Sequence, residues 1–371
     1  MTNDASPLHV LLAGGGTGGH VFPALAVADE LAARGWRVSF TGSATGLEAR
    51  LVTDRGLPFH PLPARPLVGR GLLDKVRSLT TLAASARAAS RMIRELGADV
   101  VLGTGGYVSA PAVLGARLAR RPVLLLEPNA HAGVANRWLS RWAQGAAVGY
   151  RQTISELSCP CWVTGIPVRS AFFSVSNLSE MVSPPVSALR LLVLGGSQGA
   201  QQINQAMPAV AARLLGHLPA LRILHQAGAR NLDEAKQAYA AVGVGDRVDV
   251  VPFLDDVAGA MAASHLLVSR AGAITLAEIC AAGRASLLLP LSIAQGHQRG
   301  NAQLLADAGA AEVIASAELT PERLGERLEA LLGDLPALER MGREARALAK
   351  PRAVADIADR LEMIAERGGA R

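Results

Sequence analysis

Cysteine is scarce in this chain. Three residues, Cys159, Cys161 and Cys280, occur among 371. They form no disulfide framework, and Cys159-Pro160-Cys161 is too tight for half a zinc knuckle and has no second half. So few thiols in a large chain fit a reducing compartment. Aromatic residues are only 4%, which argues against base-stacking platforms for nucleic acid, and no DNA- or RNA-binding motif is present. No apolar run approaches the roughly 18 residues that cross a bilayer. The opening Met1-Thr2-Asn3-Asp4 lacks the basic and apolar stretches of a signal peptide. The expectation is a protein that is soluble or lies on a membrane. Asp-x-Asp, the usual carboxylate pair for a metal-held diphosphate, is also missing, so no metal requirement and no cofactor are expected.

Apolar residues are plentiful. They make up half of the sequence, enough at this length for two cores. The formal net charge of +6 favours anionic partners such as nucleotides or phospholipid surfaces.

The most informative stretch is Leu8-His9-Val10-Leu11-Leu12-Ala13-Gly14-Gly15-Gly16-Thr17-Gly18-Gly19-His20. Its first half reads as a buried parallel strand. A run of small residues follows, and Pro23 stands near the first turn of a helix. Strand, glycine turn and helix together aim backbone N–H groups at an anion, usually a phosphate. Gly14, Gly16 and Gly19 match the dinucleotide fingerprint, but that reading needs an acid at the end of the second strand. The strand Arg37–Thr41 runs into Gly42-Ser43, with no acid before Glu48. A ligand-free tight turn is the other alternative, and His20 argues against it.

The rhythm continues with strands at 98–103 and 121–127 and helices over 79–96 and 131–142. Residues 174–188 have the composition of a linker or surface loop. Then Leu189–Ala200 repeats the opening plan, and further strands are expected at 221–225, 248–251, 266–269 and 285–289. The expected fold is α/β, with two Rossmann-like parallel-sheet domains facing a cleft. The domains should span 1–168 and 169–350, with a hinge near Pro167–Ser170. The helical tail 351–371 should pack back on the first. Ser269-Arg270-Ala271-Gly272-Ala273 opens another helix, whose first turn can hold a phosphate. Glu278 lies about one turn in, where a carboxylate can accept from both hydroxyls of a ribose. A Glu on a solvated helix face is the plainer alternative.

Five motifs occur in order: Gly-Gly-Thr-Gly-Gly-His at 15–20, Gly-Gly-Tyr at 105–107, Pro167-Val168-Arg169, Gly-Gly-Ser-Gln-Gly-Ala at 195–200, and Arg-Ala-Gly-Ala-Ile-Thr-Leu-Ala-Glu at 270–278. With Asn129 and Asn136, this set resembles the bacterial peptidoglycan glycosyltransferases of glycosyltransferase family 28 over nearly the whole chain. The resemblance implies the GT-B architecture. It also implies transfer of N-acetylglucosamine from UDP-N-acetylglucosamine to lipid I, the undecaprenyl-pyrophosphoryl muramyl pentapeptide, on the cytoplasmic face of the membrane. Cell-wall synthesis proteins would be possible partners.

The resemblance puts UDP on the Gly272–Glu278 turn, with Glu278 on the ribose. Ala273, Ile274, Thr275, Leu276 and Ala277 would supply backbone contacts. Leu254 would lie by the uracil, Ser197 and Arg169 by the pyrophosphate, and Gln298 by the sugar hydroxyls. Thr17, Gly18, Gly19 and Asn129 would approach the sugar from the N-terminal domain. The chain departs from the family pattern at Leu126 and Pro128, where the family reads His-Glu-Gln-Asn. It also departs at Ile166, in place of Asn, and around 292–297.

The implied chemistry is one inverting displacement by the muramyl 4-hydroxyl at C1. A helix N-terminus and Arg169 can stabilise the leaving diphosphate. The hydroxyl needs a base; His20 fits by type and placement, and Glu127 is the alternative. His20 as a hydrogen-bonding group only stays open. Arg65, Arg70, Lys75 and Arg77 interleave with Leu67, Val68, Leu72, Leu73, Val76, Leu79 and Leu82, a pattern suited to an anionic membrane surface or to an ordinary amphipathic helix. A glycolipid synthase, a UDP-N-acetylglucosamine 2-epimerase and a non-catalytic nucleotide-sugar-binding subunit are the competing readings.

Overall fold

The computed structural model describes residues 7–64, 72–176, 189–196, 199–291 and 297–369. Ser197, most of the expected linker, residues 65–71 of the basic and apolar stretch, and 292–296 lie outside the described residues. So do the side chains of 72–77.

The chain divides into two compact units. Unit 1 runs to Val168 and takes in the chain again from Lys350; unit 2 is Arg169–Ala349. Unit 1 holds a seven-stranded sheet built from β1 (His9–Ala13), β2 (Arg37–Gly42), β3 (Phe59–Pro61), β4 (Val100–Gly103), β5 (Val123–Glu127), β6 (Gly145–Val148) and β7 (Cys161–Val163). Its order is β3-β2-β1-β4-β5-β6-β7, and each described pair is parallel. Unit 2 holds β8 (Arg190–Leu194), β9 (Arg222–Gln226), β10 (Val248–Val251), β11 (Leu266–Ser269), β12 (Ala285–Leu288) and β13 (Glu312–Val313). Their order, β10-β9-β8-β11-β12-β13, repeats that of unit 1.

Side chains alternate across each strand, so one apolar run feeds two cores. Val10 and Leu12 of β1 join Leu25, Val27, Leu124 and Leu126 on one face. Leu11 and Ala13 join Ile93, Val101, Val113 and Leu125 on the other. The first face is completed by Ile357, Leu361 and Ile364 of the helix Ala353–Gly369. Unit 2 packs Leu191, Val193, Val268 and Leu287 against Ile203, Leu214, Leu324 and Leu328.

In both sheets the strand order reverses at one place, between β1 and β4 and between β8 and β11. The crevice beyond the strand ends at such a switch point is where open α/β sheets bind ligands. All four glycine turns singled out in the sequence follow these four strands. The helix expected over 131–142 is shorter, running Val134–Leu139 and then a 3-10 turn to Trp142. Its start is set by Gly133, whose N–H donates to Glu127 at 2.9 Å.

Candidate functional site

In unit 1 the turn after β1 is held from several sides. Gly14 N donates to the Thr41 carbonyl at 3.3 Å, and Gly16 N donates to Glu48 Oε2 at 3.0 Å. Gly16 sits at φ +83°, a conformation that favours glycine. A Cβ at Gly14 would strike the Thr104 hydroxyl, which donates to the His20 carbonyl at 2.9 Å. His20 therefore stands in the first turn of the helix Gly18–Ala33, with Gly18 and Gly19 before it and exposed Thr17 at the N-cap.

The His20 ring is partly buried, and its Nδ1 lies 3.1 Å from Thr17 Oγ1. It packs on the turn after β4 so closely that a Cβ at Gly105 or Gly106 would come within 3.2 Å of the ring. Burial holds its pKa below the usual imidazole range. The Glu127 carboxylate, a hydrogen bond to the Gly15 backbone and the Glu48 carboxylate push the other way without reversing it. The ring is thus neutral at pH 7, as an acceptor of a proton must be.

Glu127, at the end of β5, is buried and serves four donors. Oε1 accepts from Asn129 N and Asn129 Nδ2, both at 3.0 Å. Oε2 accepts from Gly133 N and Asn136 Nδ2, both at 2.9 Å. A carboxylate offers about four acceptor sites, so its acceptor capacity is used in folding the 128–136 loop. The expectation of Glu127 as the alternative base thus meets a carboxylate already engaged by four donors. The Asn129 side-chain amide folds back on Glu127 through its Nδ2. Asn136 holds the same loop through a second bond to the Leu126 carbonyl at 2.9 Å.

In unit 2 the helix Ala273–Ala282 begins directly after the turn that follows β11. Gly272 is its N-cap and provides no side-chain cap, so the first amides keep their capacity for a ligand. Leu276 N already donates to the Gly272 carbonyl at 3.0 Å, and Leu276 is fully buried. Of the five residues expected to give backbone contacts, Ala273, Ile274 and Thr275 lie in the open first turn, and Leu276 and Ala277 lie past it. Glu278 is partly buried, and burial pushes its pKa up to about 7 against the opposing pull of Arg169. Those two groups face one another within unit 2.

Leu254 is half-buried in the loop after β10, where Asp256 caps the helix Val257–Ala262 through Gly259 N at 2.8 Å. Gln298 Oε1 accepts from Leu291 N at 3.1 Å, so this side chain is bonded to the backbone shortly after β12. Asn301, fully buried, donates to the Ala271 carbonyl at 3.3 Å and fixes the turn before the open helix. Among the described residues no three His, Cys, Asp or Glu side chains gather as a metal site. Sequence reasoning missed Glu48, Thr104 and Asn301. Only the first left a trace, as the first acid after β2.

Two parallel-sheet Rossmann-like units, each carrying glycine turns at its switch point, make this the GT-B class of glycosyltransferase fold. Residues 10–148 match the glycosyltransferase family 28 N-terminal domain, and residues 190–361 match the family 28 C-terminal domain. The chain belongs to glycosyltransferase family 28. A relative from Methylibium petroleiphilum is 39% identical over 371 residues, covering 97% of this chain and 99% of its own. It is named a UDP-N-acetylglucosamine–N-acetylmuramyl-(pentapeptide) pyrophosphoryl-undecaprenol N-acetylglucosamine transferase. The crystal structure of Acinetobacter baumannii MurG is 34% identical with a TM-score of 0.78, covering 96% of this chain and 100% of that one. A UDP-GlcNAc 2-epimerase from Neisseria meningitidis, 13% identical with a TM-score of 0.66, covers 95% of this chain and 99% of its own and shares the fold alone.

Proposed function

We propose that this chain moves N-acetylglucosamine from UDP-N-acetylglucosamine to the muramyl 4-hydroxyl of lipid I, forming lipid II. The observation that carries it is the 39% identity, over 97% of the chain, to a transferase named for that reaction. Unit 2 holds the donor. The open amides at Ala273, Ile274 and Thr275 and the Arg169 guanidinium face the diphosphate. Glu278 takes the ribose hydroxyls, Leu254 lies by the uracil, and Ser197 and Gln298 take the diphosphate and the sugar. Unit 1 takes the acceptor. His20, neutral at pH 7, accepts the 4-hydroxyl proton as that oxygen forms its bond to C1 and UDP leaves. The charge growing on UDP is met by fixed backbone dipoles and a cation, which need no reorganisation during the reaction.

A lipid-linked acceptor calls for a chain that works on the cytoplasmic face of the membrane. No helix of the described residues is long and apolar enough to cross one. Leu79, Leu118, Val134 and Trp138 are exposed on unit 1, and the +6 net charge suits anionic lipid.

The test is incubation with UDP-N-acetylglucosamine and a short-chain lipid I analogue, read by mass. One added N-acetylglucosamine and released UDP are expected, at a rate unchanged by a chelator. Epimerised donor formed without acceptor, transfer to a diacylglycerol, or binding without turnover would overturn the proposal.

A further inference from the structure

Glu48 is the second residue of the helix Leu47–Thr53 and is fully buried. An acid in a first helical turn ordinarily faces water, where it complements the helix dipole. This one points under the β1 turn. Oε1 accepts from Ser43 N at 2.8 Å and Oε2 from Gly16 N at 3.0 Å. The carboxylate joins the loops after β1 and β2, and Gly16 lies 32 residues before it in the chain.

Three glycines make its space. A Cβ at Gly15, Gly42 or Gly46 would collide with the Glu48 side chain. Gly46 is the telling one, because its φ of −81° and ψ of 169° suit any residue. Its backbone does not require glycine; the carboxylate beside it does. An apolar side chain would fill such a space without the desolvation cost of an ion. Keeping the ion there fixes the two amides in one arrangement.

We infer that Glu48 is a positioning residue for the transfer: its carboxylate sets the Gly14–Gly16 turn and thereby the placement of His20. The inference rests on reading His20 as the base. The other end of the turn is fixed by Thr104 on the His20 carbonyl, so the histidine is held between two anchors. Two carboxylates act on its ring through their charge: Glu127, from the end of β5, and Glu48, from the helix Leu47–Thr53. Glu48 therefore acts on His20 through geometry and through charge.

Three substitutions separate these effects. Glu48→Gln keeps the shape but loses the charge, and its single oxygen serves one of the two amides. Its kcat should fall roughly ten- to a hundredfold, as small misplacements of reacting groups do. The donor KM should stay within about twofold, because the donor is held by unit 2. The acid limb of the kcat profile should move to lower pH, since a negative charge near the imidazole has gone. Gly46→Ala keeps the charge and displaces the carboxylate, so kcat should fall with the acid limb unmoved. Glu48→Asp, one methylene shorter, should behave like Gly46→Ala. Activity lost only in proportion to a falling Tm, a raised donor KM at constant kcat, or an unmoved acid limb in Glu48→Gln would each overturn the inference. Should Glu48→Gln fail to fold, Gly46→Ala decides alone: unchanged kcat refutes it. Normal turnover in His20→Gln would refute the base reading by itself. NMR titration of the His20 ring would then test Glu48 separately, an unshifted ring in Glu48→Gln refuting its action on His20.

Discussion

An imidazole held neutral by burial is a ready proton acceptor, and the pH dependence of this chain should carry its mark. A base works above its own pKa, and that of His20 lies below the usual 6.5. The acid limb of kcat should therefore fall below pH 6.5 and vanish in His20→Ala, with kcat reduced about 10²–10⁴-fold and UDP affinity nearly intact. Glu278 has the opposite bias. With its pKa near 7, it is partly protonated at neutral pH, while ribose hydroxyls need an acceptor. Affinity for UDP-N-acetylglucosamine should weaken as pH falls through 7, measured by calorimetry between pH 6 and 8. Glu278→Ala should cost roughly ten- to a hundredfold in that affinity, the worth of a hydrogen bond to a charged group. The raised pKa also means that ionising Glu278 in the fold opposes stability. Glu278→Gln should thus raise Tm at pH 8, with the gain shrinking as pH falls toward the unperturbed 4.5. His20 and Glu278 stood out as candidates in the sequence, because each follows a glycine turn. The saturation of Glu127 was not, since its donors Asn129, Gly133 and Asn136 are recruited only when the loop after β5 folds back. Glu48 showed in the sequence only as the first acid after β2; nothing in the letters shows that three glycines leave room for its carboxylate.

At the scale of elements, the helix Ala273–Ala282 is arranged as a polar device. Its N-terminus is left open, while two arginines crowd its C-terminus. Arg284 and Arg346 donate to the Ala282 carbonyl at 3.3 Å and 3.1 Å. Positive charge at that end complements the helix dipole, and the first turn stays available to an anion. The same arginines bind the chain entering unit 2: Arg346 reaches the Phe173 and Val175 carbonyls, and Arg284 reaches that of Ser176. Arg346→Met should therefore destabilise unit 2 by about 1.5–3 kcal/mol, the value of a charged hydrogen bond, in urea unfolding. The donor KM should change little, because the open first turn is at the far end of the helix. The strand–glycine–helix units were legible from apolar runs ending in small residues. The short strands β6 and β7 were not, having only four and three residues with weak periodicity. Gly133 was read as helical because its N–H bond to Glu127 is a tertiary fact.

For the whole molecule, repetition of one strand order in two units explains why motifs lying far apart in sequence do similar work. Each sheet has one reversal, and the chain places its glycines there both times. That much follows from apolar strands alternating with helices, because parallel sheets allow few other connections. The helix Ala353–Gly369 belongs to unit 1, although all of unit 2 precedes it in the chain. Protein synthesis therefore delivers the last wall of the first-made sheet at the end. Until Ile357, Leu361 and Ile364 emerge from the ribosome, the face bearing Val10, Leu12 and Leu126 lacks its cover. Nascent chains stalled with only the residues up to 349 outside the ribosome should be cut readily by protease within residues 7–168, while unit 2 resists. Release of the remaining residues should restore protection. Equal resistance before and after release would show that the first sheet closes without its final helix.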